Sequence, residues 1–177
     1  MKVLVVVDMQ NDFVTDALGT AEAVAIVPGV VERVEQAIEA GEKVFFTRDT
    51  HESVYLQTQE GRKLPVEHCV RQSRGWEIVP QLRALSETPG VEILDKPTFG
   101  SVLLGEELRK LNEREPIEAI TLIGLCTDIC VISNALLAKA FLPEVPIRVE
   151  AARCAGVTPE SHENALSAMK VCQIDVI

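Results

Sequence analysis

Ile117-Glu-Ala-Ile-Thr-Leu-Ile-Gly124-Leu-Cys126-Thr-Asp-Ile-Cys130-Val131 is an apolar run that meets a glycine, bends, and enters a second apolar segment holding no proline before Pro143. A strand, a tight turn and a helix start follow from that order. Thr127 or Asp128 is placed to cap the new helix, which puts Cys130 in its first turn, where unpaired N–H groups and the positive end of the dipole favour an anion. A thiolate is such an anion, so a cysteine here is expected to ionise more readily than a free thiol and to attack carbonyl carbon. Taken alone, it is as readily a packed core residue, because free cysteine is among the most buried residue types.

Working outward, the pattern repeats on both sides. Lys2 to Val7 is apolar and β-branched after the lysine, as a strand covered on both faces reads, and it stops at Asp8. Asp8 to Phe13 leaves as a polar loop, and Pro28 is expected to open a helix that Gly41 ends. Lys43 to Thr47 is a second strand running into Arg48-Asp49-Thr50-His51; an irregular stretch reaches Gly75, and a short helix follows around Trp76 to Leu85. Val91 to Leu94 is a third strand, ending at Asp95-Lys96. A helix from Gly100-Ser101 leads to the fourth strand, Ile117 to Ile123. Ile147 to Val149 is a fifth, Thr158-Pro159 starts a capped helix to about Val171, and Gln173 to Val176 is a sixth.

Strands alternating with helices predict an α/β fold, a three-layer sandwich whose mostly parallel six-stranded sheet is flanked by helices in a Rossmann-like topology. With 177 residues and no repeat or polar low-complexity tract, residues 1–177 are expected to form a single domain. The net charge of −10 argues against a nucleic-acid partner. No apolar run approaches the roughly 20 residues that span a bilayer, and the N-terminus carries no signal-peptide pattern. Five cysteines without a CxxC pair speak against a disulfide framework. A cytoplasmic protein with no membrane partner and a small neutral ligand is the expectation.

In parallel sheets chemistry gathers beyond the carboxyl ends of the strands. Asp8, Asp49 with His51, Lys96 and Cys130 all stand at such ends. An acid, a lysine and a first-turn cysteine at one edge make a nucleophile, a base for its proton and a cation to keep the base ionised. Asp49 and His51, two apart on extended chain, face the same way and can share an ion with His68 from the long loop. Glu60, Glu67 or water would complete the shell, and the mixed N/O donors suit Zn²⁺, Mn²⁺ or Fe²⁺. Cys154 and Cys172 read as packing cysteines, and His162 as an exposed one.

These residues resemble the isochorismatase-like cysteine hydrolases, and most closely the nicotinamidase (pyrazinamidase)-like branch. The matching stretches are Val-Val-Asp8-Met-Gln-Asn-Asp-Phe13, Thr47-Arg-Asp-Thr-His51, Pro65-Val-Glu-His-Cys69, Asp95-Lys96 and Gly124 to Val131. The resemblance implies a cysteine-dependent amidohydrolase that converts nicotinamide to nicotinate and ammonia through a thioester. Cys130 would be the nucleophile, Asp8 the base and Lys96 its charged partner. Asp49, His51 and His68 would hold a divalent metal, zinc first and manganese or iron as alternatives. Phe13 and Cys126 would bind substrate, the Leu125–Cys126 peptide would be cis, and the N–H groups of residues 126 and 130 would form an oxyanion hole. A homo-oligomer is also common in the family. Two other readings compete: the same triad acting on another small amide, a ureido compound or a vinyl ether, and a non-catalytic binding protein of this fold. The chain departs from the branch at Ser53-Val54, at Leu64-Pro65-Val66 and at Cys126, where alanine is common, so a differently shaped pocket wall is expected.

Overall fold

The computed structural model describes residues 1–177. Six strands form one sheet in the order β3-β2-β1-β4-β5-β6, and every pairing is parallel. The strands are β1 (Lys2–Val7), β2 (Lys43–Asp49), β3 (Glu92–Lys96), β4 (Ala119–Leu125), β5 (Ile147–Ala155) and β6 (Asp175–Val176). The helices are α1 (Asn11–Val14), α2 (Ala21–Glu39), α3 (Gln59–Lys63), α4 (Pro80–Ser86), α5 (Val102–Arg114), α6 (Ile132–Phe141) and α7 (Pro159–Val171). The expected α/β sandwich is the observed one. Alternation along β1 explains the three layers: Val3, Val5 and Val7 pack into a core with residues of α5, α6 and α7, whereas Leu4 and Val6 pack into a second core with α2 and α4. Both faces are therefore dry, which is why β1 is apolar throughout. Strand order reverses at β1, with β2 on one side and β4 on the other, and this opens a crevice beyond their carboxyl ends.

Several boundaries differ from the sequence reading. Helix α2 begins at Ala21, capped by Thr20 Oγ1 accepting from the Ala23 N–H, and Pro28 lies inside it. Its buried face of Ala23, Val27, Val30, Val34 and Ala37 runs unbroken past the proline, which sits on the exposed side. Burial along that stripe outweighs the local cost of a helical proline. Strand β5 continues six residues past Val149 because a register shift against β4 carries pairing from Val149 to Cys154. Glu150 and Arg153, which read as loop, are pinned there: Arg33 Nε lies 2.8 Å from Glu150, Arg153 Nη1 2.9 Å from it, and Arg153 Nε donates to the Gly29 carbonyl of α2. Cys154 is buried as expected, but Cys172 is exposed at the end of α7. His162 is half-buried, with Nδ1 2.8 Å from Thr127 Oγ1. No helix is long and apolar enough to cross a membrane.

Candidate active site

Gly124, next to last in β4, has φ of +111°, a conformation that favours glycine. A side chain there would drive into the Val7 carbonyl of β1. The Leu125–Cys126 peptide is cis. Thr127–Val131 then forms one π-helical turn that runs into α6. Neither Thr127 nor Asp128 caps it: Thr127 faces His162, and Asp128 Oδ1 accepts from the Val157 N–H at 3.1 Å. Cys130 nevertheless falls in this first turn and points to the crevice between β1 and β4.

Three of the residues singled out in sequence meet there. Lys96 Nζ lies 2.7 Å from Asp8 Oδ2 and 3.4 Å from Cys130 Sγ. Asp8, Lys96 and Cys130 are 0%, 1% and 4% exposed, so their charges are set by one another. Asp8 leaves β1 with φ of +49°, and Thr47 Oγ1 donates to its Oδ1 at 2.6 Å. Burial raises the Asp8 carboxyl above its usual value, Lys96 opposes this and Asp49 adds to it. Burial works to lower Lys96, but the Asp8, Cys130 and Asp49 charges raise it on balance and keep it cationic. Cys130 runs against the expectation drawn from its place in the helix. Burial first, and then the Asp8 charge, push its thiol well up, with only Lys96 pulling the other way. Burial beside Asp8 thus favours the thiol over the thiolate at Cys130, because burying a negative charge costs more than a fraction of a helix dipole returns.

The second constellation adjoins the first. Register pairs Asp49 of β2 with Lys96 of β3, and Asp49 Oδ1 lies 3.3 Å from Lys96 Nζ. Asp49 Oδ2 lies 3.0 Å from His51 Nε2 and 3.6 Å from His68 Nε2. Glu60 Oε1 completes the group at 3.6 and 3.8 Å from the same nitrogens. The four donor atoms lie within 4.8 Å of one another. Donors at about 2.0–2.2 Å around a tetrahedral ion would sit roughly 3.3–3.6 Å apart, so the spacing fits a divalent metal. His51 Nε2 is buried with no hydrogen-bond partner, an orphan that an ion would satisfy. His68 Nδ1 is 2.8 Å from the Val66 carbonyl, which turns Nε2 toward the cluster. Burial works to raise Asp49, but the adjoining His51 and His68 rings and the Lys96 charge hold it well below the carboxylate range. Glu67 is exposed and outside the group. Cys69 packs into the α2-side core rather than toward the donors.

Phe13 is 9% exposed, its ring centroid 5.6 Å from that of His68, and it shares a cavity wall with half-buried Cys126. The Cys126 N–H has no acceptor in the protein.

Three residues went unread in the sequence. Gln10 is fully buried and clasps Asp49 from both sides: Oε1 accepts from the Asp49 N–H at 2.7 Å, and Nε2 donates to the Asp49 carbonyl at 2.8 Å and the Trp76 carbonyl at 2.9 Å. Asp12 Oδ2 accepts from the Cys69 N–H at 2.7 Å and so holds the segment bearing His68. Tyr55 lies 4.6 Å from the His51 ring and 5.0 Å from the His68 ring, its hydroxyl donating to the Leu64 carbonyl. A signal existed for the first two, since both lie in the polar run that follows Asp8; Tyr55 carried none.

A buried acid, lysine and cysteine at the switch point of a parallel sheet, beside a carboxylate and imidazole cluster, define a hydrolase-type site of one fold family. The chain belongs to the isochorismatase domain family, whose model matches residues 2–177. The nicotinamidase/pyrazinamidase PncA from Bacillus subtilis is 29% identical, with a TM-score of 0.84 over 99% of both chains. The pyrazinamidase of Pyrococcus horikoshii in complex with zinc is 28% identical, with a TM-score of 0.82 over 99% of this chain and 98% of that one. N-carbamoylsarcosine amidase from Thermoplasma acidophilum is 27% identical, with a TM-score of 0.79 over 99% and 95%.

Proposed function

We propose that the protein is a metal-dependent, cysteine-dependent nicotinamidase, a single hydrolase domain that converts nicotinamide to nicotinate and ammonia. Amide hydrolysis is carried by its family and by relatives that are nicotinamidases, pyrazinamidases or an amidase. The observation that carries the finer reading is the contact of Lys96 Nζ with Asp8, Cys130 and Asp49 at once, which joins the trio to the metal-type cluster.

The chemistry follows from the charges. Asp8 takes the Cys130 proton as sulfur attacks the amide carbon, and Lys96 offsets the negative charge that moves between them. The electron pair of the carbonyl goes to oxygen, to which the unpaired N–H of Cys126 and the N–H of Cys130 would donate. When the C–N bond breaks, Asp8 returns the proton to nitrogen and ammonia leaves. A thioester on Cys130 remains. Water, deprotonated by Asp8, adds to it and expels the thiolate, which regains its proton. Asp49, His51, His68 and Glu60 would hold a divalent ion, zinc first by analogy with the Pyrococcus horikoshii relative, and the ion would supply Lewis-acid chemistry for orienting the substrate ring.

The test is ammonia release from nicotinamide by zinc-loaded wild type and by Cys130→Ala, with metal content measured on both. Release by the first and not the second, with about one ion per chain, is expected. A folded, zinc-loaded wild type that releases none would remove nicotinamide as substrate.

A further inference from the structure

A cavity of about 250 Å³ lies beside the Cys130 turn. Its walls include Phe13, Leu18, Leu64, Cys126, Ile129 and Val157, and no charged side chain lines it. The one hydroxyl, on Thr20, is already committed to the cap of α2. The Cys126 thiol is no anion either, because burial and then the Asp128 and Asp8 charges push it up to about 12. Asp8, Lys96 and Cys130 do not line the cavity, and neither do the four metal-type donors. The reacting carboxamide and the ring nitrogen therefore have their partners outside it. Ile129 belongs to both the cavity wall and the turn that carries Cys130, and Leu125 and Cys126 bring the chain into that turn along the same wall, so a substrate held at the sulfur reaches the cavity with the part of its acyl group that faces away from the reaction.

Size and polarity limit what fits. An apolar cavity of about 150 Å³ holds benzene, so roughly 250 Å³ holds a six-membered ring and about four further carbons. A carboxylate placed there would find no cation, since Lys96 is engaged by Asp8 and Asp49. The N-carbamoyl amino acid chemistry named for the Thermoplasma acidophilum relative is thereby disfavoured.

We propose that this cavity is an acyl-side subsite that admits an uncharged alkyl substituent of up to about four carbons on a planar aromatic carboxamide, with Cys126 and Val157 setting its depth. The proposal rests on the reading of Cys130 as the nucleophile of a small-amide hydrolase. Its test is the dissociation constant, by calorimetry, of nicotinamide and its methyl, ethyl, propyl and butyl derivatives at ring carbon 5 or 6, on zinc-loaded Cys130→Ala protein. In one positional series affinity should rise about fourfold per methylene, and Val157→Phe on the same background should abolish the rise. A carboxymethyl derivative should bind at least tenfold more weakly than the ethyl one. Affinity that is flat or falls from the first methyl in both series, or no affinity for any member, overturns the subsite. Ammonia release by the wild type reports separately on the hydrolase reading: release from nicotinamide with flat alkyl affinities refutes only the subsite, and rising affinities without release refute only nicotinamide hydrolysis.

Discussion

Replacing Gln10 by alanine tests whether the metal-type cluster is held in place by its surroundings. The side-chain amide makes three hydrogen bonds, two buried ones to the backbone of Asp49 and a partly buried one to that of Trp76. Without it the Asp49 N–H loses its acceptor, a cost of about 1–3 kcal/mol, and two carbonyls each lose a donor at about 0.5–1.5 kcal/mol. Water entering the vacated space recovers part of this, so a net loss of about 3 kcal/mol is expected. In a chain of this length that lowers the melting midpoint by about 6–12 °C. A destabilised fold alone would stop there. Asp49 also gives one oxygen to Lys96 and the other to the two histidines, so a loosened Asp49 should weaken zinc binding by about 10–100-fold. Calorimetric melting of the metal-free protein and a zinc competition titration at a temperature where the variant is folded read the two effects apart. Unchanged zinc affinity in folded Gln10→Ala would refute the positioning role, and a midpoint within about 1 °C of wild type would refute the hydrogen-bond accounting.

Three further outcomes follow from the same geometry. Because burial raises Asp8, the acid limb of kcat/KM should lie above the ordinary carboxylate value of 3.8; Lys96→Met removes the cation that favours the ionised form, so its residual activity should fall away at still higher pH, and a limb that moves down would contradict the assignment. Glu60→Gln should weaken zinc binding by about tenfold or more in a competition titration, whereas Glu67→Gln, exposed and outside the cluster, should leave it unchanged; equal effects would remove Glu60 from the ligand set. Pro28→Ala supplies the N–H that the Val24 carbonyl lacks within α2 and should stabilise the fold by about 1–2 kcal/mol after the gain in unfolded-state entropy, which melting curves would show as a rise of about 2–8 °C, while a fall would mean the helix is shaped around the proline.

The sequence alone determined the class of fold, because strands covered on both faces must be apolar throughout and so stand out as runs ending in polar residues. Lys2–Val7 was legible to the residue, and the helix from Pro159 to Val171 was announced by its cap. It also determined which side chains meet, since strand ends at one edge of a parallel sheet converge whatever the loops do: Asp8, Asp49, Lys96 and Cys130 needed only their positions in the chain. The course of α2 through Pro28 and of β5 through Glu150 was decided by partners distant in sequence, an apolar stripe in one case and Arg33 in the other, and local residue preferences carry no trace of either. The protonation of Cys130 was decided in the same way. A helix start favours a thiolate, but burial beside the Asp8 carboxylate favours the thiol, and the distances that let the second effect win exist only once the chain is folded.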